Sequence, residues 1–224
     1  MISLIKKCCK MKNIKSILLK IYRFFKYRIY PLENFNDSPD YFRIYRYFSK
    51  KKSMIRFSGG WIYKGKKYPD YLFMGGASFA IFGKAKLFLN GNGVDIGPGY
   101  WEFPDSIPID TQRGKGLNNC IDDFKENSLD YIFSSHCLEH IVDWKYELNK
   151  WVSKLKKKGR LFLYLPHPDC EIWHPGAPGI GDGHKWIPDY RTVAEYLEKL
   201  GLEIIFLDKG PDSMMSFALC AEKL

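Results

Sequence analysis

Beyond Asn90 the chain alternates short apolar runs with segments of helix length, and no other feature of the sequence constrains the fold as tightly. Strands are predicted over 94–96, 107–109, 131–134, 160–165 and 203–207. Between them, 137–155 carries Leu138, Ile141, Leu148, Trp151, Val152 and Leu155 as one apolar stripe, which predicts a long helix stopped by Gly159. A second helix is predicted over 191–200 and is closed by Gly201. A last strand over 217–221 follows the turn Lys209-Gly210-Pro211-Asp212. That turn is too short for a crossover helix, so the final two strands are expected to be antiparallel neighbours.

The chemistry concentrates where the first of these strands ends. In Gly93-Val94-Asp95-Ile96-Gly97-Pro98-Gly99-Tyr100 a buried strand carries an acid and runs straight into Gly-x-Gly. This is how an α/β protein brings backbone close to a nucleotide-like ligand at the carboxyl end of a strand. Ile107-Pro108-Ile109-Asp110 adds an acid at the end of a second strand, where a carboxylate can accept both hydroxyls of a ribose.

With these segments in hand, 93–224 resembles a class I S-adenosylmethionine-dependent methyltransferase. Asp95-Ile96-Gly97-Pro98-Gly99 is similar to the family's first motif and Asp110 to the acid of its second. Phe124-Lys125-Glu126-Asn127-Ser128-Leu129-Asp130-Tyr131-Ile132 resembles the loop and fourth strand, usually F-x-D-N-S-F-D-x-I. Ser134-Ser135-His136-Cys137-Leu138-Glu139-His140 resembles the S-x-x-x-L-E-H run, and Leu155-Lys156-Lys157-Lys158-Gly159-Arg160-Leu161 the L-K-P-G-G-x-L entry to strand five. The resemblance implies a Rossmann-like α/β fold with a mostly parallel, seven-stranded sheet, an antiparallel last strand and S-adenosyl-L-methionine as cofactor. Two departures stand out. Trp101 replaces the expected third glycine, and only 13 positions separate Gly97 from Asp110, where a full helix and strand need about 20. The first helix is therefore expected to shrink to about a turn. Such shortening resembles a type-11-like branch of surface-polysaccharide and lipopolysaccharide biosynthesis, which implies O-methylation of a sugar or of a phosphate-type group on one.

Carried over by position, the resemblance places the methionine end of the cofactor against Asp95, Gly97 and Gly99. It gives the ribose to Asp110, a polar contact near the adenine to Asn118 or Asn119, and the cofactor pocket's edge to Ser135. Methyl transfer to a hydroxyl needs a base, and His136, His167 and His184 are the candidates. The stretch 166–188 is rich in Gly, aromatic residues and His and too long for an ordinary connection. It is read as an acceptor-binding lid, with Asp169, Trp173, His174 and Trp186 as acceptor contacts. A purely local hydrogen-bonding role for these histidines stays open. His136-Cys137-Leu138-Glu139-His140 also spells H-x-x-E-H, a zinc pattern of inverted metalloproteases. A zinc reading needs a third ligand, so no metal is expected and His140 is read as a structural residue under the sheet edge.

Charge divides the chain differently from hydrophobicity. The formal balance of +10 comes from 15 Lys/Arg against 3 Asp/Glu in residues 1–60, whereas 61–224 carry 20 against 22. Residues 1–32 read as a basic amphipathic helix, with Ile14, Ile17, Leu18, Ile21, Phe24 and Phe25 on one face, suited to an anionic membrane surface or to covering the catalytic domain. Residues 33–90 read as an aromatic and basic region of irregular structure and short strands, packing on or covering the site, and 91–224 as the catalytic domain. Six cysteines without a CxxC pair fit a reducing compartment, so a cytoplasmic enzyme, peripheral on the membrane face, is expected. Its acceptor is expected to be a small molecule, glycan or nucleotide sugar. An RNA methyltransferase using the basic arm, and a cofactor-binding partner protein without catalysis, are the alternatives.

Overall fold

The computed structural model describes residues 54–57, 59–73, 75–99, 101–110, 120–178 and 183–224. The expected helix over 1–32, all of 33–53, and Asn118 and Asn119 lie outside them. The chain divides into two units, Met1–Phe73 and Met74–Leu224.

In the first unit three strands form an antiparallel meander: β1 (Met54–Phe57), β2 (Gly60–Tyr63) and β3 (Lys66–Pro69). Trp61 faces Tyr68 across β2 and β3, and both side chains are buried. A 3-10 turn over Asp70–Phe73 follows and is tied back by the Asp70 amide, which donates to the Gly59 carbonyl at 3.1 Å.

The second unit holds the α/β sheet. It begins with a helix that the sequence reading did not separate from its irregular surroundings, α1 (Ser78–Ala85). Then come β4 (Gly93–Ile96), β5 (Ile107–Ile109), β6 (Leu129–Ser135), α2 (Trp144–Lys154), β7 (Leu155–Pro166), α3 (Tyr190–Lys199), β8 (Leu202–Asp208) and β9 (Ser216–Lys223). Among the described residues the sheet has six strands rather than the expected seven, ordered β5-β4-β6-β7-β9-β8. β5, β4, β6 and β7 run parallel, and β9 is antiparallel to both β7 and β8.

Both faces of this sheet are covered, so its central strands bury apolar residues on both sides. Tyr131, Phe133, Phe162, Tyr164, Ala218 and Cys220 point to one face, where Ile81 and Ala85 of α1 and the loop residue Phe103 pack. Ile132, Leu161, Leu163, Phe217 and Leu219 point to the other, against Leu148 and Trp151 of α2 and Val193 and Leu197 of α3. Phe103 lies nearly parallel to Phe133, with centroids 4.6 Å apart, so the β4–β5 connection itself covers this part of the sheet. Between β4 and β5 the described residues contain no helix, in line with the shortening read from the sequence. Trp101 is held by Phe79 of α1 at 4.6 Å, edge to face.

The long helix expected over 137–155 is broken in two. A 3-10 turn spans Leu138–His140, Ile141 is extended, and α2 starts afresh with the Asp143 carboxylate accepting from the Tyr146 amide at 3.2 Å. The cause is competition for carbonyls. The Leu138 oxygen accepts from the Trp186 indole at 3.0 Å and the Glu139 oxygen from the Lys185 amide at 2.8 Å, and a continuous helix needs these oxygens for Val142 and Asp143. The second predicted helix forms as expected: the Asp189 carboxylate caps its start and Gly201, with φ +81°, ends it.

Candidate functional site

β4, β5, β6 and β7 end on the same edge of the sheet, and the loops leaving them carry most of the chemistry-bearing residues. Gly97 turns the chain out of β4 with φ +73°, its amide donating to the Ile109 carbonyl at 2.8 Å. A Cβ there would stand 2.4 Å from the Cys137 sulfur, so only glycine fits between this turn and the start of the next segment. Gly99 has φ +54°, and a Cβ built on it meets nothing within 4 Å, so its backbone faces open space. Asp95, 1% exposed, accepts the Phe103 amide on Oδ2 at 2.7 Å and so fixes the loop after Gly99. Asp110 follows β5 at the same edge and is partly exposed.

The Ser135 hydroxyl at the end of β6 is buried and has no hydrogen-bond partner. His136 follows with φ +49°, a left-handed turn that sends its ring toward β9 and the lid. Cys137 sits beneath Gly97. Burial, with the nearby carboxylates of Glu139, Asp110 and Asp95, pushes its thiol up to about 12 and keeps it neutral.

A second cluster lies directly beyond. Glu139 is fully buried, and neither carboxylate oxygen has a hydrogen-bond partner; burial pushes its pKa up to about 8. His136 Nδ1 approaches Glu139 Oε1 at 3.5 Å and His184 Nε2 approaches it at 3.8 Å. The rings of His140 and His184 meet edge to face at 4.6 Å. Burial first, then neighbouring imidazoles, lower His136 to about 3 and His184 to about 4, so both are neutral at ordinary pH. His140, read from the sequence as a structural residue under the sheet edge, instead stands exposed beside His184. Its Nδ1 is 3.1 Å from the Gly183 carbonyl.

The remaining lid residues are spread around this cluster. Trp173 is buried, its indole N–H lacks a partner, and its ring meets that of His136 at 4.9 Å. His167 Nδ1 accepts the Asp169 amide at 3.1 Å, which leaves the ring proton on Nε2 and that nitrogen without a free lone pair. The Asp169 carboxylate is 69% exposed. His174 donates through Nε2 to the Pro168 carbonyl at 2.6 Å, and Trp186 stacks on Trp144 at 4.5 Å while bonding Leu138, so both support the lid's own shape. His136 and His184 are thus brought together and His167 is engaged separately. Cys137, against Gly97, and Ser216, bonded to His136, were not singled out in the sequence. Nothing in their local pattern marks them, since each is defined by a partner 40 or 80 positions away.

No protein-family model matches the sequence, and no curated protein matches it. Solved structures do. An S-adenosylmethionine-dependent methyltransferase from Archaeoglobus fulgidus is 18% identical over 67% of this chain and 96% of its own, with a TM-score of 0.52. One from Thermotoga maritima is 15% identical over 66% of this chain and 90% of its own, also with a TM-score of 0.52. The chain has the class I methyltransferase fold. That establishes the frame on which the two clusters sit; the chemistry has to be argued from the clusters themselves.

Proposed function

We propose that this chain is an S-adenosylmethionine-dependent methyltransferase acting on an oxygen of a sugar, or of a phosphate-type group carried by one. The observation that carries the reading is the edge formed by Gly97, Gly99, Asp110 and Ser135. It combines a positive-φ turn with open space above Gly99, a carboxylate at the tip of β5, and a buried hydroxyl without a partner. These features fit a nucleoside ligand with an amino-acid tail: backbone for the tail, Asp110 for ribose hydroxyls, and Ser135 for a polar atom at the pocket's edge. Asp95 supports the site indirectly by holding the loop through Phe103. Asn118 and Asn119 remain proposed contacts near the adenine.

When bound, the cofactor supplies an activated methyl group on sulfur, so the protein's task is to orient the acceptor oxygen, exclude water and let a proton leave. The cluster of His136, Glu139, His140 and His184 stands immediately after the Ser135 end of β6, suitably placed to hold that oxygen and receive its proton. The glycine- and aromatic-rich lid, with Trp173, His174 and Asp169, supports a sugar-like acceptor. The basic segment 1–32 supports a location at an anionic cytoplasmic membrane surface; among the described residues no helix is long and apolar enough to cross a membrane.

Calorimetric titration with S-adenosylhomocysteine tests the reading. Micromolar binding that Asp110→Ala weakens roughly tenfold or more, about 1.4 kcal/mol, is the expected result. A folded protein that binds none overturns it and leaves a partner protein of this fold without cofactor. Labelled-methyl transfer to nucleotide sugars and lipid-linked glycans, with RNA as competitor acceptor, tests the substrate class, and transfer to RNA alone would replace it. Partitioning onto anionic vesicles with and without residues 1–30 tests the membrane role.

A further inference from the structure

We propose that Glu139, His140 and His184, with His136 beside them, form a binding site for one divalent transition-metal ion of the zinc class. The ligand atoms of the first three all lie within 4.8 Å of one another, which supplies the third ligand that H-x-x-E-H alone lacks. His136 Nδ1 and His184 Nε2 stand 3.5 and 3.8 Å from Glu139 Oε1. Tetrahedral zinc, with bonds of about 2.0–2.2 Å, places its ligand atoms about 3.3–3.6 Å apart.

The hydrogen bonds decide which ring nitrogens keep a lone pair. A carbonyl oxygen can only accept, so His184 Nδ1, 2.6 Å from the Trp173 carbonyl, carries the ring proton and leaves Nε2 with a lone pair. By the same argument His140 Nδ1 donates to the Gly183 carbonyl and its Nε2 has a lone pair. Ser216 Oγ donates to the Met214 carbonyl at 3.0 Å, so it accepts from His136 Nε2 at 2.8 Å, and His136 Nδ1 also has a lone pair. The His140 and His184 rings thus meet the Glu139 carboxyl with ligand atoms within 4.8 Å, His136 Nδ1 stands 3.5 Å from the same carboxyl, and neither Glu139 oxygen has a hydrogen-bond partner. A cation satisfies such an arrangement, and outer carbonyls that fix the imidazole tautomers are the usual support of a metal-binding histidine.

The donor set selects the ion. Imidazoles suit zinc and its neighbours, whereas magnesium and calcium prefer all-oxygen sites. The exposure of His140 gives the ion a path from solvent and leaves room for an exchangeable ligand, as in sites where zinc activates a bound oxygen. The proposal concerns the side chains that the methyl-transfer reading offers as acceptor base; an ion bound there engages their lone pairs, so the two uses are alternatives, and metal titration tests this one without a methyl-transfer assay.

Untagged full-length protein, stripped with a chelator and titrated with cobalt(II) and then zinc(II), tests it. Expected are one equivalent of cobalt per chain with visible d–d bands of a four- or five-coordinate ion, bleached by zinc. His184→Ala and the surface-exposed His140→Ala should each weaken binding by at least about tenfold to a hundredfold. Cys120→Ser, which removes an exposed thiol, should leave binding unchanged. Circular dichroism checks folding, and His140→Ala keeps the test decisive if His184→Ala does not fold. No stoichiometric binding by folded wild-type protein, or equal binding by folded His140→Ala, overturns the site. S-adenosylhomocysteine titration of the same samples reports the cofactor reading separately.

Discussion

The two ends of the parallel sheet are built on opposite electrostatic terms. At the amino ends of the strands the charges of Asp130, Lys156, Lys158, Arg160 and Glu222 are paired. Lys156 meets Asp130 at 2.6 Å, Arg160 bonds Glu222 through two nitrogens and the Phe88 carbonyl through a third, and Lys158 reaches the other Glu222 oxygen at 3.0 Å. A cavity of about 450 Å³ opens there, between Phe88, Asn90, Lys157 and Arg160, and the Lys158, Arg160 and Glu222 charges in its lining pair with one another. At the carboxyl ends the Ser135 hydroxyl, the Glu139 carboxylate and the Trp173 indole are buried without partners. Buried polar groups left short cost about 1–3 kcal/mol each, a cost that a fold carries where a ligand removes it. The size of a hollow is therefore a poorer guide to this molecule's chemistry than the state of its hydrogen bonds.

Gly97→Ala should be the strongest way to break the carboxyl edge. Its Cβ enters the Cys137 side chain at 2.4 Å and the residue must hold φ +73°. Overpacking of about 1–3 kcal/mol and a left-handed penalty of about 1–2 kcal/mol predict a loss of about 2–5 kcal/mol, read as a lower urea midpoint at unchanged slope. A double variant with Cys137→Ala should recover the overpacking part, which separates collision from backbone strain.

Glu139→Gln sharpens the contrast because it should act in the opposite sense. In chelator-treated protein the substitution removes a buried carboxyl that nothing bonds, so the variant should be as stable as wild type or more stable by up to about 2 kcal/mol. With zinc added the order should reverse, since only wild type gains a ligand-bound state. Thermal melts with and without zinc check both halves. A lower melting temperature for the variant under both conditions would show that Glu139 has a donor in solution.

Much of this architecture was legible in the sequence, and the reason is local. Strands buried on both faces read as continuous apolar runs, so 94–96, 107–109, 131–134, 160–165, 203–207 and 217–221 all fall inside observed strands, and Gly201 and the antiparallel final pair follow from turn chemistry. The failures share a cause too. The break at Leu138–His140 depends on Trp186 and Lys185 taking carbonyls from 46 to 48 positions away, and α1 is short and sits among glycines that mask its period. The site was legible by half in the same way: the Gly97–Asp110 edge is written in consecutive residues, whereas the meeting of Glu139 with His184 depends on how the lid folds back.

Gly99→Ala separates ligand from fold at one edge. With φ +54° and nothing within 4 Å of a Cβ, it should cost only about 1 kcal/mol of stability, for the left-handed backbone alone. The added methyl occupies the open space over the turn, so S-adenosylhomocysteine affinity should fall by roughly tenfold or more, a larger effect than the stability change. Unchanged affinity would move the cofactor away from this turn.

Glu222→Gln should produce the smallest effect, and one that depends on pH. Hydrogen bonds from Lys158 and Arg160 lower the Glu222 pKa below its ordinary 4.5. For a depressed carboxylate the stabilisation is present above the ordinary value and is lost as pH falls through the folded one. The pair is partly solvated, with Glu222 13% and Arg160 33% exposed, so about 1 kcal/mol at neutral pH is the expected cost. As pH falls through the lowered folded value, the wild-type and variant urea midpoints should converge, because the proton that the variant mimics has arrived. Neither cobalt binding nor S-adenosylhomocysteine binding should change. A variant at the amino ends that altered either would mean the two ends of the sheet are coupled, and the division between a closed edge and an open one would not hold.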